Sequence, residues 1–428
     1  MEDAYVIKGN LIYTPNPMEP TIFENGFLVV EKGKIKGCYS ALPEIYQPLP
    51  LLSYEDLLVI PGLSDIHVHA PQYAYRGLGM DLELLEWLRQ HAFPEDARYE
   101  EIDYAKAAYA QFVTALVNSA TTRASVFATL HAPATLLLAN MLEQAGMAGY
   151  VGKVNMDRNS PDILREKSVG EALLDTSDWL EKASLLRRVK PILTPRFVPS
   201  CSDLLMDGLG DLRRQYGVPV QSHLSENLAE IQWVKELSPQ DGCYGDVYAR
   251  HGLMEPESGT VMAHCVHCSP EEVALLKERR VMVAHCPASN TNLCSGVAPI
   301  RAYLEQGLRV GLGSDVAGGY DLSIFRAMTD AVQVSKLRFC FDPLKPRPLT
   351  LWEAFYLGTR GGGSFFGRVG SFEPGYEADA VVLDDREIVS PRRLSVKERM
   401  ERAVYLEKQV KLTAKFVAGE AVALSGKA

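Results

Sequence analysis

The chain has 428 residues, 47% of them apolar and 23% charged, with 44 Lys and Arg against 54 Asp and Glu for a formal net charge of -10. Such a composition supports an ample core and excludes a disordered chain, and the length suits one large barrel-sized domain with a smaller satellite. No cluster of Lys and Arg is available to track a phosphate backbone, which excludes nucleic acid as a substrate and leaves a small, uncharged or weakly charged molecule.

The acidic Met1-Glu2-Asp3 start has neither a basic nor an apolar leader, and no stretch approaches the roughly eighteen apolar residues of a membrane span. A cytoplasmic chain with no membrane partner is expected. Short β-runs follow in AYVIKGNLIYT, NGFLVVEKGKIKGCYS and LLVI, without helical period. The far end has the same character in GYEADAVVLDD and KLTAKFVAGEAVAL. Residues 1–59 and 371–428 are therefore expected to pair as one small β-sandwich domain.

Residues 60–370 alternate strand-like and helical segments. The candidate strands are LLVIPGLSDIHVH, TTRASVFA, GYVGKVNM, KPILTPRF, VPVQSHL, GTVMAHC, RVMVAHC and LRVGLGSD. Helical spacing separates most of them, as in ATLLLANMLEQAG, DLLMDGLGDLRRQYG and SPEEVALLKERR, the last opening on a Ser-Pro-Glu-Glu start signal. Eight such units describe a (β/α)8 barrel, with an open doubly wound sheet as the rival. Either fold places reactive groups at the C-terminal ends of its strands.

His67 and His69 are two apart at the end of the first of these strands, so their side chains share a face. An isolated pair of this kind is commonly just two interior histidines. Here, however, His223 closes VPVQSH, His264 closes TVMAH and Asp315 closes RVGLGSD, so four strands end in a potential ligand or acid/base group. Three imidazoles and a carboxylate suit zinc, with iron the alternative. The fourth strand ends in LTPRF without a lysine to bridge a second ion, so one metal per chain is expected. Glu226, three residues after His223, could reach the same pocket, although a Glu at a helix start is otherwise commonplace.

Cys265-Val-His-Cys268 resembles half a zinc knuckle, but no second such pair completes four ligands, and the eight cysteines are scattered as reduced thiols would be. His285, at the end of the seventh strand, reads as a residue orienting its neighbours. The other zinc deaminase signature, H-x-E with P-C-x-x-C, is absent.

With these residues in view, nearly the whole chain resembles the amidohydrolase superfamily and, within it, the guanine deaminases. PGLSDIHVHAPQY is similar to the first metal motif, and TPRFVPSCS, QSHLSE, AHCVHCSPEEV, HCPASN and GSDVAGGYDLS to the successive strand-end motifs. HAPQY, EWLRQHAFPEDARY and TPRF are its more specific parts. Ala120 in SATTRASV departs from the glycine of many relatives, at a turn that bears no chemistry.

The resemblance implies His67, His69, His223 and Asp315 as zinc ligands, and Glu226 and His264 as proton-handling groups, with Asp315 sharing that work. It implies Gln72, Arg196, Phe197 and also His264 as contacts to a purine, guanine, together with a homodimer. Two other readings stay open: a related deaminase of another aminopurine, a pterin or a triazine, and a barrel that has lost catalysis and serves as a binding or scaffold protein.

Overall fold

The computed structural model describes residues 4–342 and 346–425. Strands β1 (Ala4–Tyr13), β2 (Thr21–Glu31), β3 (Lys34–Tyr39) and β4 (Leu51–Pro61) open the chain. Next come β5 (Leu63–His69), β6 (Thr121–Phe127), β7 (Ala148–Gly152), β8 (Val154–Asn155), β9 (Val189–Pro191) and β10 (Thr194–Pro195). They continue as β11 (Val220–Leu224), β12 (Thr260–His264), β13 (Met282–His285) and β14 (Arg309–Leu312). The last are β15 (Ala380–Asp384), β16 (Lys411–Val417) and β17 (Glu420–Ala421).

Two four-stranded sheets run in sequence order, β5-β6-β7-β9 and β11-β12-β13-β14, every pairing parallel. The order never reverses, as it would at the switch point of a doubly wound sheet, so that rival fails and the fold is TIM-like α/β. Every residue of β5 and β6 is buried, as expected of strands covered on both faces. A parallel bridge joins Leu193 to Val220. At the other side the N–H of Asp315 donates to the carbonyl of His67 (2.9 Å) and that of His69 to Val316 (3.1 Å).

The connecting helices start and stop where local chemistry dictates. Asp203–Tyr216 begins at Ser202, whose side chain accepts from the N–H of Leu205, and ends at Gly217, whose φ of 62° suits glycine. Pro270–Glu278 begins at Ser269, capped in the same way by the N–H of Glu272. No helix among the described residues is long and apolar enough to cross a membrane.

The two chain ends pair, as expected, but in one continuous sheet of order β17-β16-β15-β4-β1-β2-β3 where a two-sheet sandwich was anticipated. One face of this sheet encloses a separate core of Tyr5, Ile7, Leu28, Val30, Val59, Val382 and Phe416. The sheet curls far enough for the rings of Tyr5 and Phe416, whose strands have two others between them in the order, to stack at 5.9 Å.

Candidate metal centre and substrate pocket

Three strand ends, those of β5, β11 and β14, deliver the expected ligands to one point. His67 Nε2 lies 3.1 Å and His69 Nε2 3.4 Å from Asp315 Oδ1, while His223 Nε2 is 3.3 Å from His69 Nε2. His67, His69 and Asp315 are buried and His223 is half-buried. The rings of all three histidines surround Phe127 at 4.6 to 5.0 Å, an apolar floor supplied by the last residue of β6.

The donor set fits a divalent cation. His223 Nδ1 sits 2.6 Å from the carbonyl oxygen of Arg196, which can only accept, so Nδ1 carries the proton and Nε2 presents a bare lone pair. His67 Nε2 is buried without a hydrogen-bond partner among the described residues. The ligand atoms of His67, His69 and Asp315 lie within 4.8 Å of one another, as do those of His67, His223 and His264. Burial holds His69 and His223 well below the ordinary imidazole range. It pushes Asp315 the other way, but His67 and His264 outweigh it and keep that carboxyl below its usual range. Neutral His69 and His223 beside an ionised carboxylate are in the forms that bind a metal.

Backbone geometry at the strand ends aims these groups. His264 (φ 73°), Asp315 (φ 46°) and Ser225 (φ 46°) occupy the left-handed region, uncommon for residues other than glycine. Asp65, which the sequence reading passed over, holds the last turn by accepting from Ser314 N (3.0 Å) and Ser314 Oγ (2.5 Å). Gly313 passes so near β5 that a Cβ there would lie 2.9 Å from the Cβ of His67, so a larger residue would displace that histidine.

Beside this cluster, Glu226 Oε2 is 3.3 Å from His264 Nε2, which is 3.8 Å from Asp315 Oδ2. Burial raises the proton affinity of Glu226 against the pull of His264. In His264 burial acts downward, yet Glu226 and Asp315 prevail and the imidazole titrates above its ordinary value. A carboxyl and an imidazole so matched can pass a proton between them and a bound molecule.

A pocket adjoins these groups. Gln72, Arg196 and Phe197 line it together with His69, His223, Glu226, His264 and Asp315. Gln72 Oε1 accepts from the N–H of Ala317 (3.1 Å), which fixes the amide and leaves its NH2 for a ligand. Arg196 Nη1 binds Asp96 Oδ2 at 2.7 Å, with the guanidinium 5.2 Å from the centre of the Phe93 ring. Phe197 meets Trp233 edge to face at 6.2 Å.

Leu84, Trp87, Leu88, Glu230, Leu293 and Gly318 also line it without having been singled out in the sequence. Burial and then the charge of Glu226 push Glu230 up to about 7. Strand-end position was a sufficient signal for Phe127. Nothing local marked Asp96 as the partner of Arg196.

His285 is buried, with Nδ1 unpartnered among the described residues, so no hydrogen bond from that atom orients a neighbour. Cys265 is buried, donates to the carbonyl of Met262, and joins no group of metal-ligating atoms among the described residues, nor does Cys268. Replacing both Cys265 and Cys268 by Ser is therefore expected to leave the metal content unchanged. Elemental analysis showing metal lost from a folded double variant would restore them as ligands.

The amidohydrolase family model matches residues 58–422. Guanine deaminase of Homo sapiens is 40% identical over 91% of this chain and 88% of its own length. That of Dictyostelium discoideum is 38% identical over 85% of this chain and 82% of its own. A crystal structure of guanine deaminase from C. acetobutylicum, with guanine bound in its active site, superposes with a TM-score of 0.95 at 45% identity, covering 98% of this chain and 100% of that one. Carrying the strand-end metal donors of its sequence on a TIM-like frame, the chain belongs to the amidohydrolase family and, within it, stands with the guanine deaminases.

Proposed function

We propose that this chain hydrolyses guanine to xanthine and ammonia at the pocket above β5, β11, β12 and β14, with one zinc ion per chain. The observation that carries the reading is the convergence of His67, His69, His223 and Asp315 beside a pocket that Gln72 and Arg196 also line. Those four side chains would hold the ion. When bound, it supplies a Lewis acid that makes water nucleophilic near neutral pH.

The remaining steps belong to the protein's own groups. Asp315 Oδ2 and His264 Nε2 face each other and can take or orient a proton of the attacking water. Glu226 gives a proton to ring nitrogen N3 as C2 is attacked, so negative charge does not accumulate on the purine. It then relays a proton to the amine, which leaves as ammonia. The Gln72 amide and the Arg196 fork hold the polar edge of the base, and Phe197 and Trp87 bound the pocket beside its ring.

Closure of the parallel strands into a complete (β/α)8 barrel is part of the same reading, supported by the 193–220 bridge and the 315–67 hydrogen bond. Division into 1–59 with 371–428 and 60–370 is supported by the separate core of the terminal sheet. A homodimer is proposed from the family resemblance alone. Incubating the purified chain with guanine should remove the ultraviolet absorbance of guanine and release ammonia, and elemental analysis should find one zinc per chain. Ammonia released from a pterin or a triazine but not from guanine would refute the substrate. Two metal equivalents lost together in His223→Ala would refute the single centre.

A further inference from the structure

Glu226 and His264 lie on different strand ends, yet one short segment, the helix Pro287–Asn292 and the turn after it, holds both. His264 Nδ1 is 2.9 Å from Asn290 Oδ1, and Ser295 Oγ donates to Glu226 Oε1 at 2.9 Å. The turn between them is closed by the N–H groups of Ser295 (2.9 Å) and Gly296 (3.1 Å), both donating to the carbonyl of Asn290. It is clamped from outside as well. His267 Nε2 donates to the carbonyl of Ser295 (2.7 Å), while the N–H groups of Val266 and His267 donate to the carbonyl of Ser225, next to Glu226, at 3.0 Å each.

Asn290 and Ser295 are buried, at 1% and 3% exposure, and neither lines the pocket, so both act through the groups they hold. Asn290 Oδ1 has only lone pairs to offer, so His264 carries its proton on Nδ1 and turns Nε2 toward Glu226 Oε2. For Ser295 the consequence concerns the two oxygens of Glu226. Among the described residues its hydroxyl has no acceptor other than Oε1. A proton on Oε1 would displace that hydrogen bond inside a buried site, whereas a proton on Oε2 leaves it intact.

We propose that Ser295 is a positioning residue that divides the work of the Glu226 carboxyl: Oε1 stays a fixed acceptor, and Oε2, beside His264, carries the proton exchanged with the substrate. This rests on the guanine deaminase reading of the site. Loss of the hydroxyl frees the carboxyl to rotate and to hold its proton on the wrong oxygen. Binding of the purine, which Gln72 and Arg196 govern, is not altered.

Ser295→Ala tests this with metal content and melting temperature measured alongside kinetics on guanine. The expected result is an unchanged metal content, a KM within about twofold of the unaltered protein, and a kcat lower by about tenfold or more, the size of one hydrogen bond to a charged group. Ser295→Thr keeps the hydroxyl and is expected to retain most of the kcat, while Ser295→Val, of the same shape, is expected to lose it. A Ser295→Ala protein with unaltered kcat overturns the proposal. If that variant does not fold, equal kcat values for the Thr and Val variants overturn it instead. An unaltered protein that leaves guanine intact removes the functional reading and this inference together, an outcome distinct from either of the others.

Discussion

Glu226→Gln is expected to keep its metal and its fold and to lose guanine turnover by roughly a hundredfold or more, the usual contribution of a general acid/base group. The amide preserves the shape. Its carbonyl oxygen can still accept from Ser295 Oγ, and its NH2 would face His264 Nε2 where Oε2 now lies 3.3 Å away. It can donate hydrogen bonds there but cannot release a proton. Burial already disfavours the charged carboxylate, so replacing it with a neutral amide removes that penalty and the melting temperature should not fall. Kinetics with metal analysis on the same preparation decide the matter: turnover within a few-fold of the unaltered protein would place the proton shuttle elsewhere.

The parts of this site that sequence displays are those set by local period. His67 and His69 share a face because a strand alternates, and their location follows because β5 ends there. Position at the end of a strand, rather than alternation, marked His223, His264 and Asp315. What it does not display is pairing across the fold. Asp96 and Arg196 are 100 residues apart and Ser295 and Glu226 are 69 apart, and in each case the contact exists only because helices and loops stack over the strand ends.

Interrupted strands were also beyond reach. The runs GYVGKVNM and KPILTPRF each read as one strand, but β7 stops before Lys153, whose buried ammonium turns aside to Glu166 at 2.6 Å, and a second short strand follows. In the terminal domain, alternating strands foretold pairing of the chain ends. Whether such strands form two sheets or one curled sheet depends on bulges, such as the register shift between Lys8 and Asn10, that no alternation encodes.

Arg196 is expected to be needed for both recognition and stability, and two substitutions separate these roles. Its donors suit the carbonyl oxygen that guanine presents at position 6, whereas adenine has an amino group there that would meet another donor. Its pairing with Asp96 is buried on both sides, with side-chain exposures of 5% and 6%. Burial already pushes the Asp96 carboxyl above its usual range against the pull of Arg196. Arg196→Met removes that pull and leaves a buried acid alone, a change that typically costs about 3–5 kcal/mol. It should therefore melt earlier and also lose activity on guanine by a factor on the order of a hundred or more, from the unpaired polar edge of the base. Arg196→Lys keeps a cation for Asp96 but lacks the planar fork that can bind a carboxylate and a purine edge together. Its melting temperature and metal content should stay near those of the unaltered protein while KM for guanine rises. Normal kinetics in the Lys variant would show that charge alone is required at this position, and an early-melting Met variant with normal turnover would confine Arg196 to holding the helix that carries Asp96.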